Sequence, residues 1–569
     1  MEYRLINERK ENLPLLSQVL YNREIYDINH YLNVSEDDLY PPSLLNNIDK
    51  GYQLLKEQIA QNAKTLIIVD CDCDGFTSSA ILLNYLHKIY PEWVENNVFF
   101  ALHDGKSHGL SDLLDDAMQY DFVIIPDAGS NDFEEVKKLS EWDIKVLILD
   151  HHEADTPPQE AIIINPQMDD YPNKTLSGAG VVWKFCCYFD EQSGYCYANS
   201  LMDLVAVGLI GDMIDLRDYE TRYLINEGLS NIQNSFIQAM IEKNSYQLKG
   251  KLNPKGVSWY IAPLINAVNR VGSLAEKQLL FSSLLDWMAN TEVESTKRGC
   301  KGEKELLVEQ AIRTSSNVRT RQNKIRDNKF QEIMERIQSE GLDKNKMIII
   351  KSEDDTSGIG GLIANQIVGS LHRPVAILKP VYYDNELYWE GSTRNADGYG
   401  VENLKDKLTS TGAINWASGH QSAFGLSIKD TQLKDFINKT NEMFSDIEFS
   451  KYYKVDAVIN SINLDISELK SIAFADSIWG QGVEKPLFYF KDIIANGSNV
   501  FMTDKVLKIK INDELSVVKF FPKEEDKALF EDPDTRHTLN IIGSCDYNSY
   551  DSTLQIIIED YEDATSWYF

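Results

Sequence analysis

The sequence lacks any apolar run long enough to cross a membrane, and it lacks a regular cysteine framework. A membrane helix needs about 20 predominantly apolar residues, whereas charged residues make up 25% of this chain. The first residues, MEYRLINERKENLP, carry charges where a signal peptide needs an apolar stretch. The seven cysteines are an odd number at irregular positions, which argues against a disulfide framework in a chain of this size. These absences predict a cytoplasmic protein without a membrane segment.

Positive charge is also scarce, because the formal net charge is −32. Nucleic-acid-binding proteins are usually basic, but a local groove can be basic on an acidic body. The most basic segment lies between residues 297 and 329. It could bind a partner, or it could be the solvated face of a long helix, since charge runs commonly have no partner. Its basic residues are Lys297, Arg298, Lys301, Lys304, Arg313, Arg319, Arg321, Lys324, Arg326 and Lys329.

At 569 residues the chain is too long for one ordinary core, and its pattern changes along its length. Between residues 65 and 165, short apolar runs alternate with helix-like segments, which is typical of buried parallel strands in an α/β sheet. The runs are TLIIVD, VFFALHD, FVIIPD, KVLILD and AIIIN. Residues 201–240 are predicted to be helical, and residues 285–340 to form a long polar helix between domains.

A second α/β pattern follows this predicted helix, with the runs KMIIIKSE, RPVAILK, LYWEGSTR and FGLSI. After about residue 450, β-rich runs such as KVLKIKI and STLQIIIEDYE are broken by turn residues. They predict an all-β module, for which a small barrel is the favoured form.

The aspartates Asp70, Asp127 and Asp150 each end a predicted parallel strand. Ligands of open α/β sheets lie beyond the carboxyl ends of the strands, so these carboxylates should converge there. A single aspartate at a strand end is more commonly a cap or turn residue. The combination of DCDCDG, IIPDAGSND, LILDHHEAD and VAVGLIGDMIDL favours a functional site.

The segment DCDCDG places Asp70, Asp72 and Asp74 at alternate positions directly after the first strand. On an extended backbone they would share one face, and carboxylates this close would raise one another's pKa unless a cation lay between them. Metal binding is therefore the interpretation we favour. Cys71 and Cys73 should then face the core, and a helix that begins near Gly75 could attract phosphate with its free amide groups.

The other segments add a histidine pair and two further carboxylates to this predicted site. His151 and His152 can serve as a metal ligand and a phosphate contact, and Asp150 could orient a histidine. An oxygen-rich site with one imidazole suits manganese or magnesium better than zinc. Several carboxylates, including Asp127 and Asp212, indicate two ions roughly 3.5–4 Å apart, an arrangement that supports in-line attack on phosphorus.

In this order, the four segments resemble the motifs of the DHH phosphoesterase superfamily, and the whole chain resembles the RecJ family of single-strand-specific 5′→3′ exonucleases. Further resemblances are VLYNREIYDINHYLNV, APLINAVNRVGS, GSTRNADGYGVENL, ASGHQSAFGLSI and DSIWGQGVEKPLFYF. The implied fold is α/β, with a parallel-sheet DHH domain, a long connecting helix, a smaller α/β DHHA1 domain and a C-terminal all-β OB-fold-like module. The implied bounds are 1–50 for an N-terminal helical segment packed on the catalytic domain, 51–285 for the DHH domain, 286–340 for the helix, 341–435 for DHHA1 and 450–569 for the OB-like module.

The resemblance implies roles for individual residues. Metal ligands would be Asp72, Asp74, Asp127, His151 and Asp212, with Asp70 in or beside their shell, and His152 would contact the scissile phosphate. The catalytic set would be His152, Asp150, Asp72 and Asp127. Residues that meet DNA would be Arg270, Ser392, Arg394, His420, Lys106 and Arg319. Without the resemblance, Arg394 and His420 would be read as a surface arginine and a hydrogen-bonded histidine. Ser418, Phe424 and Asn269 depart from the family pattern, which affects pocket shape more than chemistry.

The implied activity is two-metal hydrolysis of single-stranded DNA from its 5′ end with Mn²⁺ or Mg²⁺, by a monomer, in repair, recombination or replication. A single-stranded-DNA-binding protein and a helicase are the candidate protein partners. One alternative is a DHH phosphodiesterase for short oligonucleotides or cyclic dinucleotides, against which residues 450–569 argue. Another is a non-catalytic replication scaffold, against which the retained ligands argue.

Overall fold

The apolar runs between residues 65 and 165 form the predicted parallel sheet. The computed structural model describes residues 1–10, 12–105, 107–248, 250–352, 358–532, 534–548 and 551–565. The strands of the sheet are β1 (Thr65–Val69), β2 (Val98–Leu102), β3 (Phe122–Pro126), β4 (Lys145–Leu149) and β5 (Ile162–Ile164). Their order is β2-β1-β3-β4-β5, and every pairing is parallel. Because β2 and β3 lie on opposite sides of β1, the strand order reverses between β1 and β3, which is where α/β sheets of this kind bind ligands.

Helices cover both faces of this sheet, since all residues of β1 and β3 are buried. The prediction of helices over residues 201–240 is confirmed. The helices up to residue 289 are Leu15–Asn22, Ile28–Leu32, Ile48–Ala60, α1 (Cys73–Ile89), Pro91–Asn97, Leu114–Ala117, Phe133–Glu141, α2 (Gly178–Ser193), α3 (Met202–Gly211), Tyr219–Ser230, Ser235–Lys243, Ser245–Leu248, Pro254–Gly256, α4 (Ala262–Val271), Leu274–Ser283 and Asp286–Ala289.

The contacts of the chain define two compact units. The central unit contains Asn29–Ile325 and the short segment Gly480–Val483. The C-terminal unit contains Met1–Ile28, Arg326–Trp479 and the chain from Glu484 onwards. None of the helices in the described ranges combines the length and the apolar character that a membrane span requires.

The predicted connecting helix is shorter than expected. It is α5 (Leu307–Glu340), whereas residues 286–306 contain a short helix and a two-stranded hairpin, Glu292–Glu294 with Lys304–Leu306. The prediction of one helix from residue 286 was therefore wrong at its start. Buried Glu305 explains the hairpin, because its carboxylate accepts hydrogen bonds from Arg313 on α5 and from the backbone amide of Thr296.

The second α/β pattern forms a mixed five-stranded sheet in the C-terminal unit. Its strands are β6 (Ile348–Lys351), β7 (Val375–Tyr383), β8 (Glu386–Arg394), β9 (Trp416–His420) and β10 (Ala423–Lys429), in the order β9-β10-β8-β7-β6. Only β6 and β7 pair in parallel. The helices of this unit after α5 are α6 (Gly360–Leu371), Leu404–Thr409, Asp430–Met443, Ile466–Phe474 and Glu524–Leu529.

The β-rich prediction after residue 450 is confirmed, because this part forms a seven-stranded sheet. Its strands, in spatial order, are Ala457–Asn460, Phe488–Asn496, Arg536–Asn548, Thr553–Asp563, Leu515–Phe520, Val506–Lys510 and Val500–Met502. Its likeness to an OB fold remains a prediction.

The first 28 residues differ from expectation, since they belong to the C-terminal unit rather than to the predicted catalytic domain. Strand Glu2–Leu5 pairs in parallel with strand Tyr452–Val455. Arg23 Nη1 also lies 2.7 Å from Asp456 Oδ1, and both side chains are buried. Breaking such a pair would leave an uncompensated buried charge, so the pair keeps this segment in place.

Candidate metal centre and phosphate-binding residues

The turn that leaves β1 brings three aspartates to the end of the sheet. Strand β1 ends at Val69 and α1 begins at Cys73, so the predicted extended arrangement of DCDCDG was wrong. Asp72 is the N-cap of α1, and its Oδ1 accepts a hydrogen bond of 2.9 Å from the amide of Gly75. A capping aspartate is common at this position because the first amide groups of a helix have no partner within it.

Gly75 permits this turn by lacking a side chain. A Cβ at this position would lie 2.6 Å from Cβ and 2.7 Å from the carbonyl oxygen of Asp70. No real Cβ approaches neighbouring atoms so closely, so the helix start and the strand end could not meet with another residue here. Glycine at position 75 therefore allows the start of α1 to lie close to the backbone at the end of β1.

Asp74 is buried in a ring of donors from the start of α2. Its carboxylate accepts hydrogen bonds from Ser177 Oγ (3.0 Å), the amide of Gly178 (2.7 Å) and the amide of Ala179 (3.1 Å). Sequence reasoning missed this cradle, although the serine and glycines of TLSGAG before an apolar helix are typical of a helix start.

Asp127 follows β3 with a φ of 66°, a left-handed conformation that is uncommon for a residue with a side chain. Its amide donates to the carbonyl of Leu149 at 2.8 Å, and a Cβ on Gly178 would lie 2.3 Å from its Oδ1. The side chain is 1% exposed, and Oδ1 has no hydrogen-bond partner in the described structure. A buried carboxylate oxygen that accepts no hydrogen bond is suited to bind a cation.

His151 lies where the buried carboxylates meet. Its Nε2 is 3.2 Å from Asp127 Oδ1, 3.6 Å from Asp212 Oδ2 and 3.8 Å from Asp74 Oδ2. Asp212 is the residue at the end of α3, so four different elements deliver these side chains. The structure thus brings together four of the residues that were predicted to bind metal.

Asp150 has a different role from the other aspartates. It accepts hydrogen bonds from the amides of Ser130, His151 and His152 and lies 2.8 Å from Nδ1 of His152. Burial alone would raise the pKa of Asp150, but the hydrogen bond and charge of His152 hold it below its ordinary value. Burial opposes protonation of His152, yet Asp150 raises the pKa of His152 to about 9. Asp150 therefore orients the histidine and favours its charged form.

The cluster is electrostatically unfavourable by itself. Burial and then the charges of Asp74, Asp72, Asp70 and Asp212 raise the pKa of Asp127 well above its ordinary value. Burial, Asp74 and Asp72 together raise the pKa of Asp212 to about 8. A divalent cation among these groups would remove the repulsion and keep the carboxylates ionised.

Two overlapping groups of ligand atoms could each hold a cation. The atoms of Asp74, His151 and Asp212 lie within 4.8 Å of one another, as do those of Asp70, Asp72 and Asp127. A third such group contains both Asp127 and His151, and it therefore connects the first two groups. The donors are carboxylates with one imidazole, which suits magnesium or manganese.

Arg270 lies near enough to Asp72 of this cluster to interact with its charge, while its contact with phosphate remains a prediction. It is on α4, where burial lowers its pKa and the charge of Asp72 opposes that effect. Its neighbour Asn269 donates from Nδ2 to the carbonyl of Asp72 at 3.3 Å. The departure from the family pattern at Asn269 therefore adds a contact to the turn after β1.

The predicted phosphate contacts of the C-terminal unit share one face of its sheet. Arg394 on β8 and His420 on β9 both pair with Ala423 of β10, and Ser392 lies two residues before Arg394. Residues in register, and residues two apart, point to the same face of a sheet. A Cβ on Gly361 of α6 would lie 2.3 Å from Nη2 of Arg394, so the absence of a side chain makes room for the guanidinium.

Arg319 and Lys106 are the other two residues that were predicted to bind DNA. Arg319 lies on α5, where Nη2 donates to the carbonyl of Trp259 at 3.2 Å, and Lys106 lies outside the described residues.

Several basic residues of segment 297–329 are paired with acids of their own unit. Arg313 and Lys297 contact Glu305, and Arg321 contacts Glu276. These pairs weaken the interpretation of the whole segment as a DNA-binding surface.

Two histidines near Asp70 were missed by sequence reasoning. His108 Nδ1 lies 2.7 Å from Asp70 Oδ2, and His103 Nε2 lies 4.0 Å from Asp70 Oδ1. Both follow β2 in the segment ALHDGKSHGL. Their position just beyond the end of another parallel strand was the feature of the sequence that could have placed them near the site.

Comparisons with known proteins agree with this geometry. The model of the DHH family, N-terminal domain, matches residues 64–209. The chain is 33% identical over 573 residues to the putative SPbeta prophage-derived single-strand DNA-specific exonuclease YorK of Bacillus subtilis. This alignment covers 99% of this chain and 98% of that protein. It is 23% identical to the single-stranded-DNA-specific exonuclease RecJ of Bacillus subtilis, over 98% of this chain and 69% of that protein. Its fold resembles the crystal structure of RecJ in complex with Mn²⁺ from Thermus thermophilus, with a TM-score of 0.72, 17% identity and coverage of 97% of this chain and 76% of that chain.

Proposed function

Because this chain belongs to the RecJ-like single-strand-DNA-specific exonucleases of the DHH family, we propose that it hydrolyses single-stranded DNA from the 5′ end with two divalent cations. The observation that carries the proposal is the convergence of buried Asp74, Asp127 and Asp212 on His151 beyond the ends of β1 and β3. The names of the relatives support the substrate class. Thermus thermophilus RecJ structures with Mn²⁺ and with Mg²⁺ support the choice of metals.

Two groups of residues would hold the metal ions. One ion would lie among Asp74, His151 and Asp212, and the other among Asp70, Asp72 and Asp127. The unpartnered Oδ1 of Asp127 and the raised pKa values of Asp127 and Asp212 fit such cations. When bound, the ions would polarise the scissile phosphate and lower the pKa of a water molecule.

The protein's own residues would supply the remaining charge. With a pKa of about 9, His152 would be protonated at neutral pH and would place a positive charge and a proton donor beside the scissile phosphate. Asp150 is then a positioning residue, since it holds the ring at Nδ1. Arg270 would add a second cation near Asp72.

Ser392, Arg394 and His420 would bind the terminal phosphate or the DNA backbone. Their common face offers a hydroxyl, a guanidinium and an imidazole, which are donors suited to phosphate oxygens. Recognition through phosphate groups would not depend on base sequence. We further propose that the enzyme works as a cytoplasmic monomer, with a single-stranded-DNA-binding protein and a helicase as partners.

The test is digestion of single-stranded DNA that carries a label at either the 5′ or the 3′ end. We expect Mn²⁺ or Mg²⁺ to support release of nucleotides that starts at the 5′ end, and a chelator to stop it. Attack from the 3′ end would contradict the proposed direction, and activity in the chelator would contradict the metal site. Preference for a dinucleotide over a long strand would favour the phosphodiesterase alternative.

A further inference from the structure

A second set of potential metal ligands lies around Asp70. Its Oδ2 is 2.7 Å from His108 Nδ1, and its Oδ1 is 4.0 Å from His103 Nε2. Cys71 is buried next to it, and the ligand atoms of Asp70, Cys71 and His108 all lie within 4.8 Å of one another. This set contains a thiol and two imidazoles, whereas the catalytic cluster described above is dominated by carboxylates.

His103 has the arrangement of a histidine prepared to bind a metal. Its side chain is 0% exposed, and Nδ1 lies 2.5 Å from Asp112 Oδ1. If Nδ1 donates its proton to this carboxylate, Nε2 carries the lone pair, and a carboxylate that fixes a histidine in this way is typical of metal sites. Nε2 points towards Asp70 and has no hydrogen-bond partner among the described residues. An unpaired buried nitrogen is costly unless something binds it.

From these contacts we propose that Asp70, Cys71, His103 and His108 bind a thiophilic divalent cation of the Zn²⁺ class, at a site beside the catalytic pair that shares only Asp70 with it. One sulfur, two nitrogens and one oxygen make a tetrahedral set that favours zinc over magnesium or manganese. Tetrahedral bond lengths of about 2.0–2.3 Å place neighbouring ligand atoms roughly 3.3–3.6 Å apart. The His108–Asp70 hydrogen bond and the one that Cys71 Sγ donates to the carbonyl of Ser107 at 2.7 Å would therefore open. The exposed side chain of His108 can make that movement, and His103 Nε2, 4.0 Å from Asp70 Oδ1, would move inwards to complete the set.

Asp70 is grouped with Cys71 and His108 and also with Asp72 and Asp127 of the catalytic cluster. A cation at the proposed site would therefore also regulate the nuclease. A cation held by Cys71 and the two histidines would draw the Asp70 carboxylate away from Asp72 and Asp127. Zinc would then slow the manganese-supported reaction. This consequence rests on the proposed function, whereas the binding site itself does not.

Cobalt is the probe for the site, since Co²⁺ takes zinc positions and a bound thiolate gives an intense near-ultraviolet charge-transfer band. The full-length protein is freed of metal, saturated with Mn²⁺ and titrated with Co²⁺. We expect one equivalent of cobalt to produce the band and one equivalent of zinc to remove it. The catalytic cluster has no thiol among its ligands and should contribute no such band.

Cys71→Ser should abolish the charge-transfer band, and His108→Gln should weaken cobalt binding at least about 10-fold. Cys73→Ser is the matched control, because Cys73 is also buried but its Sγ faces the carbonyl of Val207 at 3.9 Å. It should keep the full band. Circular dichroism and manganese-dependent nuclease activity establish that each variant is folded.

The site is refuted if the wild-type protein gives no band, if folded Cys71→Ser keeps it, or if folded Cys73→Ser loses it. If Cys71→Ser does not fold, the test rests on His108→Gln, because the side chain of His108 is 54% exposed and its replacement should not disturb the fold. An unchanged cobalt affinity in His108→Gln would then refute the site. Zinc inhibition of the nuclease should be weaker in Cys71→Ser than in the wild type. Equal inhibition in both, with the band confirmed, would overturn the regulatory role and leave the binding site standing.

Discussion

The two polar regions of this protein differ in charge and in how much water reaches them. In the central unit, Asp74 and Asp127 are each 1% exposed and lie against further carboxylates. In the C-terminal unit, Arg394 is half-buried and His420 is exposed on the sheet face. Buried like charges need a cation to stay ionised, whereas polar groups that water reaches are solvated without one. We therefore expect the first region to depend on metal for its stability and chemistry, and the second to contribute substrate affinity.

The largest effect should come from Asp127→Asn, which removes the charge of the carboxylate where the predicted ligands meet but keeps its shape. Groups that merely orient the ligands of a metal contribute about 10- to 100-fold, so loss of a direct ligand should lower kcat at least about 100-fold. The measurement is the initial rate on 3′-labelled single-stranded DNA with saturating Mn²⁺. Asp143→Asn is the matched control, because Asp143 also has a positive φ, 59°, but is exposed. Comparable rates for the two variants would refute the role of Asp127.

Manganese should stabilise the central unit and leave the C-terminal sheet unchanged. At 100 times its Kd, a ligand that binds only the folded state adds about 2.7 kcal/mol. Calorimetry in chelator and then in Mn²⁺ should show this as a higher Tm. Hydrogen exchange should slow around Asp72 and Gly178 but not around Arg394. Equal protection of both regions, or an equal Tm shift in Asp127→Asn, would contradict the contrast.

Arg394→Ala should weaken substrate binding more than it slows chemistry. Hydrogen bonds to charged groups contribute about 1.5–3 kcal/mol, which corresponds to a rise in KM of roughly 10- to 100-fold. Steady-state kinetics on 5′-phosphorylated DNA measure this, and Arg394→Lys should recover part of the loss. Lys434→Ala, which removes an exposed charge from the same unit, is the control. A fall in kcat with unchanged KM would place Arg394 in the chemical step instead.

The smallest effect should come from Arg321→Ala in the basic segment. Its guanidinium already lies 2.7 Å from Glu276 Oε2 and is 46% exposed, and such surface pairs contribute about 0–1 kcal/mol. We expect the KM for DNA to change less than about 5-fold. A 10-fold rise that disappears at high salt would show that this segment binds phosphate groups after all.

Local patterns predicted the elements of the central sheet closely. The five apolar runs all became parallel strands, because a strand buried on both faces must be apolar along its length. Aspartates at their ends could be placed near one another, since parallel strands deliver their carboxyl ends to the same edge. The start of α5 was predicted less well, because the buried contacts of Glu305 come from the loop of the hairpin, at Thr296, and from α5, at Arg313.

Strand periodicity and residue order are local properties, and they dictate which residue types reach the end of the sheet. Tertiary structure decided how they meet. Asp72 caps a helix instead of extending a strand, and Asp127 adopts a left-handed conformation against Gly178, a position at which a side chain would clash with its carboxylate. His103 turns an unpartnered nitrogen towards Asp70. These features depend on contacts between residues far apart in the chain, and only close packing brings such residues within a few ångströms of one another.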